Sequence, residues 1–305
     1  MLRDGDMCSF TTTNERRLMS KEPSLRHPSE IPWYVVCVVL NLLILAALIE
    51  LVVLVWTHPA LFDNQALTDT AIAILFGLIL LPLAYVIYRN LTRAATRGSA
   101  VLVSEQQFPE IAAVRDTFAR ELHLRRVPEI YVTSGNGQLN AFAASAYRVD
   151  FVVLHSELFA NLYQNNREGL AFIFGHEMGH IRLSHTRLWY QLSLAFVSLV
   201  PIIPGFLSRA REYSSDRHGA FVEPQGEEGL VLLTAGRYVY RQVDVTNLLD
   251  QAAHVRGFWA EVAQLTQSHP LTVWRLKKLH DLGLFPGQGQ QPSAPPSGAP
   301  MATGA

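Results

Sequence analysis

The run His176-Glu177-Met178-Gly179-His180 combines residue types and a spacing that suit metal chemistry. On a helix, residues four apart share a face, so His176 and His180 can donate to one ion while Glu177 stands beside them. Two imidazoles suit zinc, and a glutamate in that place can take a proton from a water that the metal activates. The chemistry this implies is metal-assisted hydrolysis. A pentamer of this kind also arises by chance in unrelated chains, so the rest of the ligand set decides the matter.

A catalytic zinc takes three protein ligands and keeps one position open. A third histidine would require Gly and His at positions that hold Leu183 and Thr186 instead, which excludes that pattern. The segment Ser208-Arg209-Ala210-Arg211-Glu212-Tyr213-Ser214-Ser215-Asp216 puts Glu212 and Asp216 four apart on one predicted helix face. Glu212 is the expected third ligand of one Zn2+ per chain. Asp216 can accept a hydrogen bond from the free ring nitrogen of a ligating histidine, which fixes the ring. The plain alternative is a solvated helix whose Arg209, Arg211 and Arg217 pair with these acids. The pentamer favours the metal.

Four separate blocks now carry a family resemblance. They are Asn140-Ala141-Phe142-Ala143, the His176 to His180 pentamer, the Ser-Arg-x-x-Glu-x-x-Ser-Asp run ending at Asp216, and Ser268-His269-Pro270 followed by Arg275. In order and spacing the chain resembles the HtpX-type membrane zinc metalloproteases, relatives of the CAAX prenyl endopeptidases, over residues 101–282 and the apolar hairpin before them. Ser215 stands where that pattern has alanine. The resemblance implies an endopeptidase acting on damaged or misassembled membrane proteins, in quality control or stress response, at a bacterial-type inner (plasma) membrane. By analogy with the late His-Pro element, His269 is the candidate donor to the oxygen that gains charge, and a residue before the last helix that merely caps it is the alternative. Arg275 is expected to support the site by pairing with its acids, or else to be a surface charge. Asn140, with Ala141 and Phe142, lies where an edge strand can bind substrate backbone by strand addition; a turn residue after Gly137 is the alternative for Asn140.

The elements that must position these residues begin in a bilayer. Residues 33–56 and 70–88 are apolar over the length of about 20 residues that a spanning helix needs. Trp33, Trp56, Tyr85 and Tyr88 suit the interfacial belt. Asn41 interrupts the first segment and is expected to bond to the neighbouring helix. The first segment is too long and too late for a cleaved signal peptide. Arg3, Arg16, Arg17, Lys21 and Arg26 precede the hairpin, residues 57–69 carry no Lys or Arg, and Arg89, Arg93 and Arg97 follow it. The positive-inside rule then places both termini and the zinc domain in the cytoplasm. Cys8 and Cys37 make no metal spacing and no plausible disulfide.

A further apolar stretch, 188–207, separates the two halves of the metal set. A single crossing would put Glu212 across the bilayer from His180. The stretch is therefore expected to continue the active-site helix, bend near Pro201, Pro204 and Gly205, and return. A re-entrant hairpin, a flap on the membrane surface and a buried core helix all remain open.

The formal charge of −1 over 305 residues argues against nucleic acid as a partner. Expected partners are polypeptides, membrane proteins above all, and the lipid bilayer. The organisation is a disordered cytoplasmic leader (1–31), two transmembrane helices (32–89), a zinc metalloprotease domain (100–285) and a disordered Gly/Pro/Gln-rich tail (286–305). The fold class expected is α+β: a mainly helical, zincin-like domain with a small antiparallel sheet, anchored by an N-terminal transmembrane hairpin. Against the endopeptidase reading stands a catalytically inactive or latent zinc-binding membrane scaffold. A structural zinc, however, is usually closed by four protein ligands. A pentamer buried in a membrane span is disfavoured by Arg167, Glu168, Arg182 and Arg187. Cleavage of prenylated peptides would need more spans than these.

Overall fold

The computed structural model describes residues 25–58, 65–146, 149–255, 257–265, 267 and 269–285. The expectations for the leader before residue 25, for Ser268 and for the tail lie outside the described residues. Two long helices lead, α1 (Glu30–Thr57) and α2 (Gln65–Ser99). A first compact layer follows: β1 (Val101–Leu102), α3 (Pro109–Glu121), β2 (Glu129–Thr133), β3 (Ala141–Ala146) and β4 (Val149–His155). The helical body comprises α4 (Ser156–Asn165), α5 (Arg167–Arg182), α6 (Leu188–Leu192), α7 (Ile203–Val222), α8 (Glu227–Ala235), α9 (Val245–His254), α10 (Phe258–Leu265) and α11 (Thr272–Asp281).

The sheet corrects one expectation. Its order is β1-β2-β4-β3, with β3 and β4 antiparallel as predicted but β2 and β4 parallel, so it is mixed rather than antiparallel. The reason lies in β4, Val-Asp-Phe-Val-Val-Leu-His, which is buried on both faces. Val152 and Leu154 enter the main core while Phe151 and Val153 pack with Tyr131 on the opposite face. Such a strand belongs inside a sheet. The alanine-rich β3, half-buried, takes the edge. The turn leading to β3 is held by Glu157, whose carboxylate accepts from the Gly137 amide at 2.6 Å and the Gly135 amide at 3.0 Å.

α1 and α2 are long and apolar enough to cross a membrane, and most of their large side chains are exposed, among them Leu42, Leu43, Phe76 and Leu91. The foot of α1 is different. Residues 25–31, expected to belong to a disordered leader, lie against α7: the His27 amide donates to Ser214 Oγ at 2.8 Å, and Glu30 is wholly buried. The 188–207 stretch does not continue α5. That helix ends at Arg182, and a turn with Ser184 at φ +67° redirects the chain. The stretch then folds as α6, a single 3-10 turn and the first residues of α7, with Pro204 in the first helical turn, where it costs no hydrogen bond. It packs on α1 through Tyr190, Leu194 and Val197, around Cys37. Asn41 bonds to this stretch rather than to α2, accepting from the amides of Phe196 at 2.8 Å and Val197 at 3.1 Å.

The central packing is α5 on α7. Helix α5 is buried from Gly169 to Gly179 and runs through the core, so its sequence is apolar on nearly every side. Three glycines let α7 approach it. A methyl group added at Gly175 would lie 2.9 Å from Gly219 Cα, one at Gly219 would lie 2.9 Å from the Phe172 carbonyl oxygen, and one at Gly179 would lie 2.9 Å from His218 Cβ. Ser215, in the alanine place of the family pattern, sits wholly buried at this crossing, where only a small residue fits. Gly219→Ala should therefore cost about 1–3 kcal/mol by overpacking and reduce the metal held per chain, although no ligand is touched. Thermal melting and metal content of the detergent-purified full-length chain check both effects.

Candidate metal centre

The crossing of α5 and α7 brings the expected ligands together. His180 Nε2 lies 3.3 Å from His176 Nε2 and 3.4 Å from Glu212 Oε1, and His176 Nε2 lies 3.5 Å from Glu212 Oε2. One ligand atom from each of the three residues falls within 4.8 Å of the others. His176 and Glu212 are buried, and His180 is nearly so. This donor set suits zinc: two neutral imidazole nitrogens and a carboxylate oxygen, with the remaining position facing a cleft. Glu212 Oε2 is buried and lacks a well-directed hydrogen bond, although His269 Nδ1 is 2.8 Å away. A cation would satisfy it.

Each ligand is braced from behind. His176 Nδ1 lies 2.8 Å from Asp216 Oδ1, one helical turn past Glu212 on α7. Arg275, from α11, is buried and grips Asp216 with two donors, Nε to Oδ2 at 2.9 Å and Nη2 to Oδ1 at 2.6 Å. The reading of Arg275 as a surface charge is thereby overturned. A buried carboxylate needs an opposite charge within reach, and α11 delivers it. His269 is largely exposed, and its ring turns onto Glu212. It does not cap α11, whose N-cap position is Leu271.

The electrostatics follow from this packing. Burial alone would raise the Glu212 carboxyl, but the close approach of the His176 and His269 rings holds it well below the usual range. Burial opposes charge on His176, yet hydrogen bonding to Asp216 and Glu212 outweighs it and pushes the imidazole up to about 10. In the metal-free chain a proton on His176 thus balances the two acids, a task a divalent cation takes over with release of that proton. His180 goes the other way, held neutral chiefly by burial. Burial raises the Glu177 carboxyl, partly offset by the charge on His176 and by a hydrogen bond from the Ala143 amide.

Glu177, His176 and His180 open into a cleft of about 440 Å³, and Asn140, Ala141, Phe142 and His269 line it as well. Edge strand β3 forms one wall. Tyr85, Tyr88 and Arg89, near the end of the α2 apolar run, form another.

One neighbour escaped the sequence reading. His185 lies five residues past His180, and a continued helix would point it off the metal face. Instead the chain reverses after His180: the His185 amide bonds to the His180 carbonyl and the Ser184 amide to the Ile181 carbonyl, both at 3.0 Å. This is the paired bonding of a Schellman turn, and it returns the wholly buried His185 ring to His180, with 2.9 Å between the two Nδ1 atoms. A glycine would have signalled the turn, but Ser184 occupies the left-handed position.

Comparison with known proteins identifies the lineage. The chain matches the family model for peptidase family M48 in two segments, residues 105–202 and 187–282, which cover more than half of it. No curated protein and no solved structure matches it. The chain belongs to peptidase family M48, which includes HtpX and the CAAX protease-like members.

Replacing Asp216 separates support from ligation. Asp216→Asn should weaken zinc affinity by about 10–100-fold, measured by competition with a chelator. Asp216→Ala, which strands the buried Arg275, should also cost about 3–5 kcal/mol of stability, read from its melting temperature.

Proposed function

We propose that this M48 chain is a membrane-anchored zinc endopeptidase. The observation that carries this is the convergence of His176, His180 and Glu212 beside Glu177, in a cleft walled by the edge strand β3. A zinc ion held by those three side chains supplies the Lewis acidity that makes water a nucleophile near neutral pH. Glu177 takes the proton of the attacking water and passes it to the departing amine. The carboxyl suits both tasks because burial brings its affinity for a proton above that of an ordinary glutamate. β3, its outer side unpaired in the sheet, aligns a substrate as an added strand through Asn140, Ala141 and Phe142. His269, on the open side of the cleft, donates to the peptide oxygen as it gains charge. Asp216 and Arg275 keep His176 in its ligating orientation. The domain is zincin-like in its working parts: a helix carrying two histidines and a glutamate beneath a sheet edge.

The exposed apolar faces of α1 and α2 fit a bilayer, with both termini and the catalytic domain on the cytoplasmic side, as the arginines flanking the hairpin favour. Asn41 lies eleven residues into α1, roughly 16 Å along its axis. The 188–207 stretch, bonded to Asn41, thus follows α1 into the apolar layer and returns as a re-entrant segment. With α2 forming a cleft wall, membrane proteins are the natural substrates, and quality control at a bacterial-type plasma membrane is the corresponding role.

The test is cleavage of an unfolded membrane protein by the detergent-purified full-length chain, beside its Glu177→Gln variant, with zinc quantified in both. Cleavage by the wild type alone, with about one zinc in each, is the expected result. Zinc in both and cleavage by neither would favour the scaffold. No zinc in either after resupply would refute the ligand set.

A further inference from the structure

His176 is backed by a carboxylate, Asp216, directly. His180 has no carboxylate in that position. Behind it stands His185, and behind His185 stands Glu30, at the foot of the first apolar helix. His185 Nε2 lies 3.1 Å from Glu30 Oε1, and both side chains are wholly buried. Arg26 pairs with the same Glu30 oxygen, and Ser214 Oγ, on α7 between Glu212 and Asp216, donates to the other.

With Glu30 ionised, as its pairing with Arg26 favours, hydrogen-bond polarity then orders the protons along the chain. An ionised carboxylate only accepts, so His185 Nε2 must carry a hydrogen. A neutral imidazole has one N–H, so His185 Nδ1 is a lone pair. His180 Nδ1, 2.9 Å from it, must then donate. That leaves the lone pair of His180 on Nε2, the atom facing His176 Nε2 and Glu212 Oε1. With Glu30 ionised and both imidazoles neutral, reversing any of these bonds sets two hydrogens or two lone pairs against each other in a dry interior, at a cost of about 1–3 kcal/mol.

We infer that Glu30 and His185 are positioning residues which, by this relay, select the nitrogen that His180 offers to the metal. The inference rests on the metalloprotease reading and deepens it: the first apolar helix is part of the metal centre as well as an anchor. Glu30 and His185 lie outside the four sequence blocks that carried the family resemblance. The relay uses the foot of α1, the turn after α5 and a serine of α7.

The experiment uses the full-length chain in detergent and zinc alone as ligand. Glu30→Ala and His185→Phe should each weaken zinc binding by about 10–100-fold. Because Glu30 acts through His185, the double variant should lose no more than His185→Phe alone, within about threefold. Losses that multiply, or a folded Glu30→Ala with wild-type zinc affinity, would overturn the relay. If Glu30→Ala does not fold, His185→Phe carries the test, and wild-type affinity there is equally fatal. Nitrogen NMR of labelled histidines in the metal-free wild type supplies a readout that a merely structural role would not move. His180 should be protonated at Nδ1 and His185 at Nε2, and the opposite tautomers would refute the relay. A wild type that shows these tautomers yet takes up no zinc would instead refute the metalloprotease reading.

Discussion

The distance between α5 and α7 governs this protein. Two histidines on one helix and a glutamate on another can share an ion only where the backbones nearly touch, because none of these side chains is long. Gly175, Gly179 and Gly219 permit that contact, each leaving a space that a methyl group would overfill. Everything else can be seen as consequence. The apolar bulk of α5 is buried because α7 and α8 cover one side and the sheet the other. The polar atoms that the crossing traps must then find partners in a region closed to water.

Those partners come from far along the chain. Asp216 alone beside Glu212 would be two adjacent anions in a dry interior. Arg275 and the histidines make the arrangement tolerable, and Arg275 reaches them from the last helix described. Glu30, likewise buried, is matched by Arg26, Ser214 and His185. One carboxylate thus stands behind His176, from α7, and one behind His185, from the foot of α1.

The clustering of His176, His180 and Glu212 was legible because helical periodicity puts His176 with His180 and Glu212 with Asp216 on shared faces. The two long apolar segments were legible from composition, and a small sheet was expected. What was hidden depends on non-local pairing. Nothing in the sequence of β2 says that it lies parallel to β4, because the choice follows from how completely β4 is buried. Arg275 looks like any basic residue until its surroundings are known. His185 was concealed by a turn made with serine where glycine is usual. Asn41 was expected to reach a neighbouring helix and instead anchors an irregular stretch whose two amides needed an acceptor.

The discontinuity of the centre has a consequence for the birth of the molecule. Its parts lie near residues 30, 140, 180, 212 and 275, and no single stretch holds enough of them to work. During synthesis Glu30 emerges long before Arg275, so a growing chain carries only fragments of the candidate centre. A chain whose first helix has not yet docked lacks the brace behind His180. On the endopeptidase reading proposed above, a site whose parts meet only in the folded chain cannot attack the unfinished chain that carries it.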